Sequence, residues 1–210
     1  MFLQLRAMRL PARWGGPLAL VLLVLQLWPG ASSSLRFVRA DFIHGAVWLP
    51  ISAQWVHLTW PHAMVNAMSA LLLCWALRGW VPMNGQLLAL SGGMVGVALQ
   101  LVMDAQCDYY AGASGALHGA VGGAALYMLT APGRTRLAGG GLGLALLAKL
   151  GWQDAAFAGS PHWLDIPVYY PAHGAGAVGG VAGVVVWLLV RRWYPALHPS
   201  AHQGYPGERH

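Results

Sequence analysis

Apolar residues run through this chain in long continuous stretches, broken by short clusters of polar and charged residues. Six stretches stand out, over residues 14–28, 57–77, 86–103, 112–129, 137–152 and 171–190. They do not alternate apolar with polar, so they do not read as strands of a membrane barrel. Most approach the ~20 residues that a helix needs to cross the hydrocarbon of a bilayer. The pattern therefore predicts an all-α membrane protein, a six-transmembrane-helix bundle over residues 14–192. Residues 1–13 and 193–210 flank it, and the second flank is polar, Pro-rich and expected to be disordered. The first stretch is short and follows Arg6, Arg9 and Arg13, so a signal peptide ending near Ala31-Ser32-Ser33 is an alternative reading of it. An uncleaved span is preferred, because the later pattern needs an even number of helices. The connection over 30–56 holds Trp48 and Trp55 and is expected to lie in the interface, where indole rings are comfortable.

Composition sharpens this picture. Of the 210 residues, 57% are hydrophobic and 9% are charged, whereas a soluble domain carries roughly a quarter charged residues. The bilayer is therefore the solvent. The net charge of +6 comes from basic residues spread along the chain with no dense stripe, which argues against a nucleic-acid partner. Topology explains their placement better. Arg6, Arg9, Arg13, Arg78, Arg134, Arg136, Arg191, Arg192 and Arg209 fall on one side of the six-span scheme, and Arg36 and Arg39 on the other. By the positive-inside rule both termini are cytoplasmic, and the loops holding Asp104, Asp108, Asp154 and Asp165 face outward. Cys74 and Cys107 lack the spacing of a metal motif, and neither a disulfide, a metal site nor a cofactor is expected.

Polar residues inside spans are costly and mark function. His62, Asn66, Ser114 and His173 all fall in the outward half of the scheme. His62 and Asn66 are four apart and share a helix face. Ser114 and His173 enter their helices from the outer side at similar depth. Together they offer a nucleophile, a base and two hydrogen-bond donors. Acyl transfer needs this set, because a serine hydroxyl is weak until a base takes its proton and the oxyanion needs donors already aimed at it. The backbone N–H of Ser114, at a helix start, is a further donor. No acid lies in mid-span, so a Ser–His dyad is expected rather than a triad with a buried carboxylate. His118, one turn below Ser114, is a rival base. His57 reads as a structural or interfacial hydrogen-bonder. Lys149 reads as a snorkelling anchor, with a substrate carboxylate as its alternative partner. Glycines recur every four residues at Gly115, Gly119 and Gly123, and at Gly176 and Gly180, which predicts close helix packing.

These residues resemble a known family. Gly112-Ala113-Ser114-Gly115 with Gly119 is similar to the GxSGxxxG motif of rhomboid intramembrane proteases. His62 and Asn66 resemble their HxxxN motif, and Ala172-His173 with Gly176 and Gly180 their AHxxGxxxG motif. The resemblance covers about residues 48–190 and implies a Ser114–His173 dyad, an oxyanion hole from His62 and Asn66, and cleavage of membrane-anchored proteins. The segments His57-Leu58-Thr59-Trp60-Pro61-His62 and Ser114-Gly115-Ala116-Leu117-His118-Gly119, with Lys149 and Gln153, are similar to the rhombosortase branch. That branch implies a bacterial inner membrane, an active site open to the periplasm, and substrates with a C-terminal Gly-Gly pair, helix and basic end. Gln153-Asp154 departs from it, standing where a Glu-Gln pair is expected. A non-proteolytic rhomboid-fold chaperone or trafficking protein is the rival, but such relatives typically lack the Ser or the His. A haem carrier needs facing axial histidines inside the bundle, whereas the histidines here lie near one membrane face.

Overall fold

The computed structural model describes residues 14–155 and 168–197. The expectations placed on Arg6, Arg9, Arg13, Asp165 and the chain beyond 197 lie outside the described residues.

Six longer helices stand where the apolar stretches predict them: α1 (Gly15–Leu27), α5 (Trp60–Leu77), α6 (Met83–Met103), α7 (Ser114–Leu129), α8 (Arg134–Ala155) and α9 (Pro171–Leu197). Among the described residues, three of them are long and apolar enough to cross a membrane: α5, α6 and α9 over Pro171–Trp193. The other three fall short for physical reasons. As described, α1 has 13 residues and α7 has 16, and α8 carries Arg134, Arg136 and Lys149. The chain is thus an all-α membrane protein. Helix α9 also runs past Arg191-Arg192 to Leu197, further than expected, because arginine is a good helix former and nothing in the double Arg stops a helix.

Helices α6, α7 and α9 make the centre, each packed on the other two, while α1 leans on α5 and α8 on α7. Small residues permit this. A Cβ placed on Gly93 would come within 2.9 Å of Ala116 O on α7, and one on Gly119 within 2.8 Å of Gly176 O on α9. In lipid there is little hydrophobic drive between helices, so such backbone approach supplies much of the association. The outer faces are apolar, with Leu20, Leu72, Leu99, Leu144 and Val186 all exposed. Gln86, fully buried, is held on both sides of its amide: Trp14 Nε1 donates to Gln86 Oε1 at 2.8 Å, and Gln86 Nε2 donates to Val81 O at 2.7 Å.

The connection over 30–56 is more ordered than expected. It holds α2 (Ala31–Leu35), β1 (Phe37–Val38), α3 (Arg39–Ile43), α4 (Leu49–Ser52) and a 3-10 turn at Ala53–Trp55. β1 pairs antiparallel with β2 (Tyr109–Tyr110), Phe37 facing Tyr110. Arg39 Nε donates to Cys107 O at 2.9 Å, and its Nη2 to the carbonyls of Leu101 and Asp104, closing the C-terminal end of α6. Gln54 Nε2 donates to Met94 O at 2.9 Å. Trp48 is exposed, with Ile43 and Val47 exposed beside it. Burial pushes the Cys107 thiol up to about 11, which leaves it unreactive at neutral pH.

Candidate active site

Helices α5, α7 and α9 start at the same end of the bundle as α6 and α8 finish. This brings His62, Ser114 and His173 together with the last turns of α8. The arginines sort accordingly: Arg78, Arg134, Arg136, Arg191 and Arg192 lie toward the far end, Arg36 and Arg39 toward the site.

The turn before Ser114 is tightly fixed. Gly112 takes a φ of +133°, a conformation that favours glycine. Space demands glycine there too, since a Cβ would sit 2.7 Å from His62 Cε1. Gly112 N–H donates to Ala53 O at 2.9 Å, and Tyr110 OH donates to Gly112 O at 2.8 Å. Both backbone polar groups of the turn are therefore held. Helix α7 then begins at Ser114, so the N–H groups of its first turn lack intrahelical acceptors.

Ser114 Oγ lies 2.9 Å from His173 Nε2. On the other side of that ring, His173 Nδ1 lies 3.0 Å from Gln153 Oε1. A carbonyl oxygen only accepts, so Nδ1 carries the proton and Nε2 presents its lone pair to the hydroxyl. The rival histidine is occupied differently. His118 Nδ1 is 2.6 Å from Ser114 O, and Lys149 Nζ is 2.8 Å from His118 Nε2. Its proton goes to a backbone carbonyl and its lone pair faces Lys149, so neither nitrogen meets Ser114 Oγ. The His118 ring instead stacks on His173, with centroids 4.2 Å apart and planes 13° from parallel. Lys149 is an exposed residue whose ammonium lies against His118.

His62 and Asn66 are buried on the α5 face opposite Ser114. Asn66 Nδ2 donates one N–H to His62 O at 3.0 Å and keeps a second. His62 Nδ1 has no hydrogen-bond partner among the described residues. His57, fully buried, packs edge-on to His62 at 4.8 Å and accepts from Ala113 N–H at 3.4 Å. That bond spans 56 residues and ties the approach to α5 to the Ser114 turn.

A cavity of about 690 Å³ opens from this cluster between α5, α7 and α8. Its polar end holds His62, Asn66, Ser114, His118, Lys149 and His173, and its apolar walls include Leu72, Leu117, Val121, Leu142 and Leu146. A second cavity of about 20 Å³, reaching both His62 and Ser114, is bounded by Tyr110, Ala111, Val168 and Tyr169. Of the sequence-predicted site residues, Ser114, His173, His62, Asn66, His118 and Lys149 line the larger cavity, while His57 lines neither and lies against His62. The roles of Gln153, behind His173, and Tyr170, edge-on to it at 5.7 Å, are absent from the sequence reading.

The family model of the Rhomboid domain matches residues 44–192. No curated protein and no solved structure matches the chain. The family match spans well over half of the chain and contains every residue of the site. This chain belongs to the rhomboid family, an intramembrane-protease type of integral membrane protein.

Proposed function

We propose that the chain is an intramembrane serine endopeptidase with Ser114 as nucleophile and His173 as general base. The observation that carries this reading is the 2.9 Å approach of Ser114 Oγ to His173 Nε2, with the other ring nitrogen already committed to Gln153. The Ser114 hydroxyl gives its proton to His173 Nε2 as Oγ bonds to the substrate carbonyl carbon. The carbonyl π electrons move to oxygen, where His62, the second Asn66 N–H and the Ser114 backbone N–H receive the charge. Collapse expels the amine, which takes the proton from His173, and leaves an acyl group on Ser114. Water then attacks the ester carbonyl, His173 relays the proton back, and the acid leaves. The 20 Å³ cavity beside Ser114 has room for one such water.

His62→Ala and Asn66→Ala are each expected to lower turnover by roughly 10²–10³-fold, while the hydroxyl still reacts with a small fluorophosphonate. Detergent kinetics of the single and double variants check this. A double variant that cleaves at the wild-type rate removes both residues from the oxyanion site.

The substrates we propose are exported proteins held in the same bacterial inner membrane by a C-terminal helix. Both termini of the enzyme lie in the cytoplasm and its site opens to the periplasm. Two observations support this: the arginine sorting between the two ends of the bundle, and the rhombosortase-like segments. A serine at one end of a bundle reaches only bonds near that interface, and the local helix must open to present a carbonyl. Glycine costs about 1 kcal/mol relative to alanine in a helix, so a Gly-Gly pair is where opening is easiest. Co-expression with two reporters tests this. One ends in Gly-Gly, helix and basic tail, and the other carries an unrelated single-span anchor. The expected product is a new C-terminus near the glycines of the first reporter, seen by mass spectrometry and absent with Ser114→Ala. Equal cleavage of both reporters leaves a rhomboid protease without the sorting specificity.

A further inference from the structure

Helix α8 carries Lys149 and Gln153 four residues apart, hence on one face, and both line the large cavity. Each grips one of two stacked imidazoles. Gln153 Oε1 holds His173 Nδ1 at 3.0 Å, and Lys149 Nζ holds His118 Nε2 at 2.8 Å. His118 in turn donates to Ser114 O at 2.6 Å and lies flat on His173. Tyr170 meets His173 edge-on, at 69° to its plane. The His173 ring is therefore held by a flat stop, an edge contact, a hydroxyl and an amide.

We propose that Gln153 is a positioning residue that completes the hydrolytic set as Ser114–His173–Gln153, and that Lys149 supports it by locking His118 against the same ring. The Gln153 carbonyl selects the His173 tautomer whose lone pair faces Ser114, the task that a carboxylate performs in soluble triads. An amide performs it without placing a formal charge inside a lipid-embedded site, where an unpaired carboxylate is costly. The match between Lys149 and Gln153 means that α8, which packs mainly on α7, sets the geometry of a base carried by α9.

The inference rests on the Ser114–His173 reading. Its test uses three full-length variants in detergent: Gln153→Leu, which removes the acceptor; Gln153→Asn, which withdraws it by one methylene; and Gln153→Glu, which keeps it. The readouts are kcat and KM for a membrane-anchored reporter and the rate of fluorophosphonate labelling. A residue that acts through the base moves kcat and labelling together and leaves KM alone. The Leu and Asn variants are expected to lose at least about tenfold in both rates, and Glu to stand well above them. Lys149→Met is expected to show a smaller loss in the same two rates. Two outcomes overturn the proposal: the Leu and Asn variants labelling at the wild-type rate, or a change confined to KM, which would make Gln153 a substrate contact. If Ser114→Ala itself still cleaves and labels, the dyad reading fails instead, and the two failures are distinguished by that control.

Discussion

Ser114→Ala and His173→Ala are each expected to lower cleavage of a membrane-anchored reporter by roughly 10⁴-fold or more. Ser114→Ala removes one oxygen from a partly exposed position and leaves the α7 start intact. His173→Ala removes a buried ring and its stacking on His118, but the glycine and backbone seam between α7 and α9 at Gly115, Gly119, Gly176 and Gly180 stays in place. Both proteins should therefore insert and fold, which intact mobility in gel filtration and an unchanged helical spectrum would verify. The losses should not add in the double variant, because hydroxyl and imidazole act as one unit. His118→Phe separates the rivals. It keeps a flat ring against His173 and removes both nitrogens, so it should retain far more turnover than His173→Ala. A dead His118→Phe beside an active His173→Ala would move the base to His118.

The second large effect concerns the seam that brings the dyad together. Gly176→Val is expected to destabilise the bundle by about 3 kcal/mol or more and to remove activity even where folded protein persists. Overpacking by a methyl or two usually costs about 1–3 kcal/mol because side chains can yield. Here the obstacle is backbone. A Cβ on Gly176 runs into the carbonyl of Gly115, and one on Gly115 would sit 2.7 Å from Ala172 O. Helices α7 and α9 must separate, which pulls Ser114 away from His173 by more than a hydrogen bond tolerates. Gly174→Ala is the control: it lies two positions away on the same helix, and a Cβ there meets nothing within 4 Å. Thermal unfolding of the two variants in one detergent should differ widely, with Gly174→Ala at or above the wild type.

The contrast between these residues explains how much the sequence reveals. The helices were legible because lipid demands long apolar runs. Ser114, His62, Asn66 and His173 were legible because each is a polar group near the start of such a run, at a shared depth. The glycine rows at 115, 119 and 123 and at 176 and 180 were legible from their spacing, and they do face each other across α7 and α9. What depends on a third dimension was not. Gln153 sits one turn beyond Lys149 and 20 positions before His173, and no periodicity links an amide on α8 to an imidazole on α9. Lys149 near a helix end has the composition of an anchor, and only its placement against His118 shows another partner. The pairing of Phe37–Val38 with Tyr109–Tyr110 involves two residues a side, too few to leave an alternating pattern.

The central claim is that Ser114 is an activated nucleophile. Its most direct test is labelling of the purified full-length protein with a fluorophosphonate, followed by peptide mapping. The account predicts a single adduct on Ser114 Oγ, absent in Ser114→Ala and formed far more slowly in His173→Ala. A folded, inserted protein that takes up no probe, or one labelled at another residue or at an equal rate without His173, would contradict it.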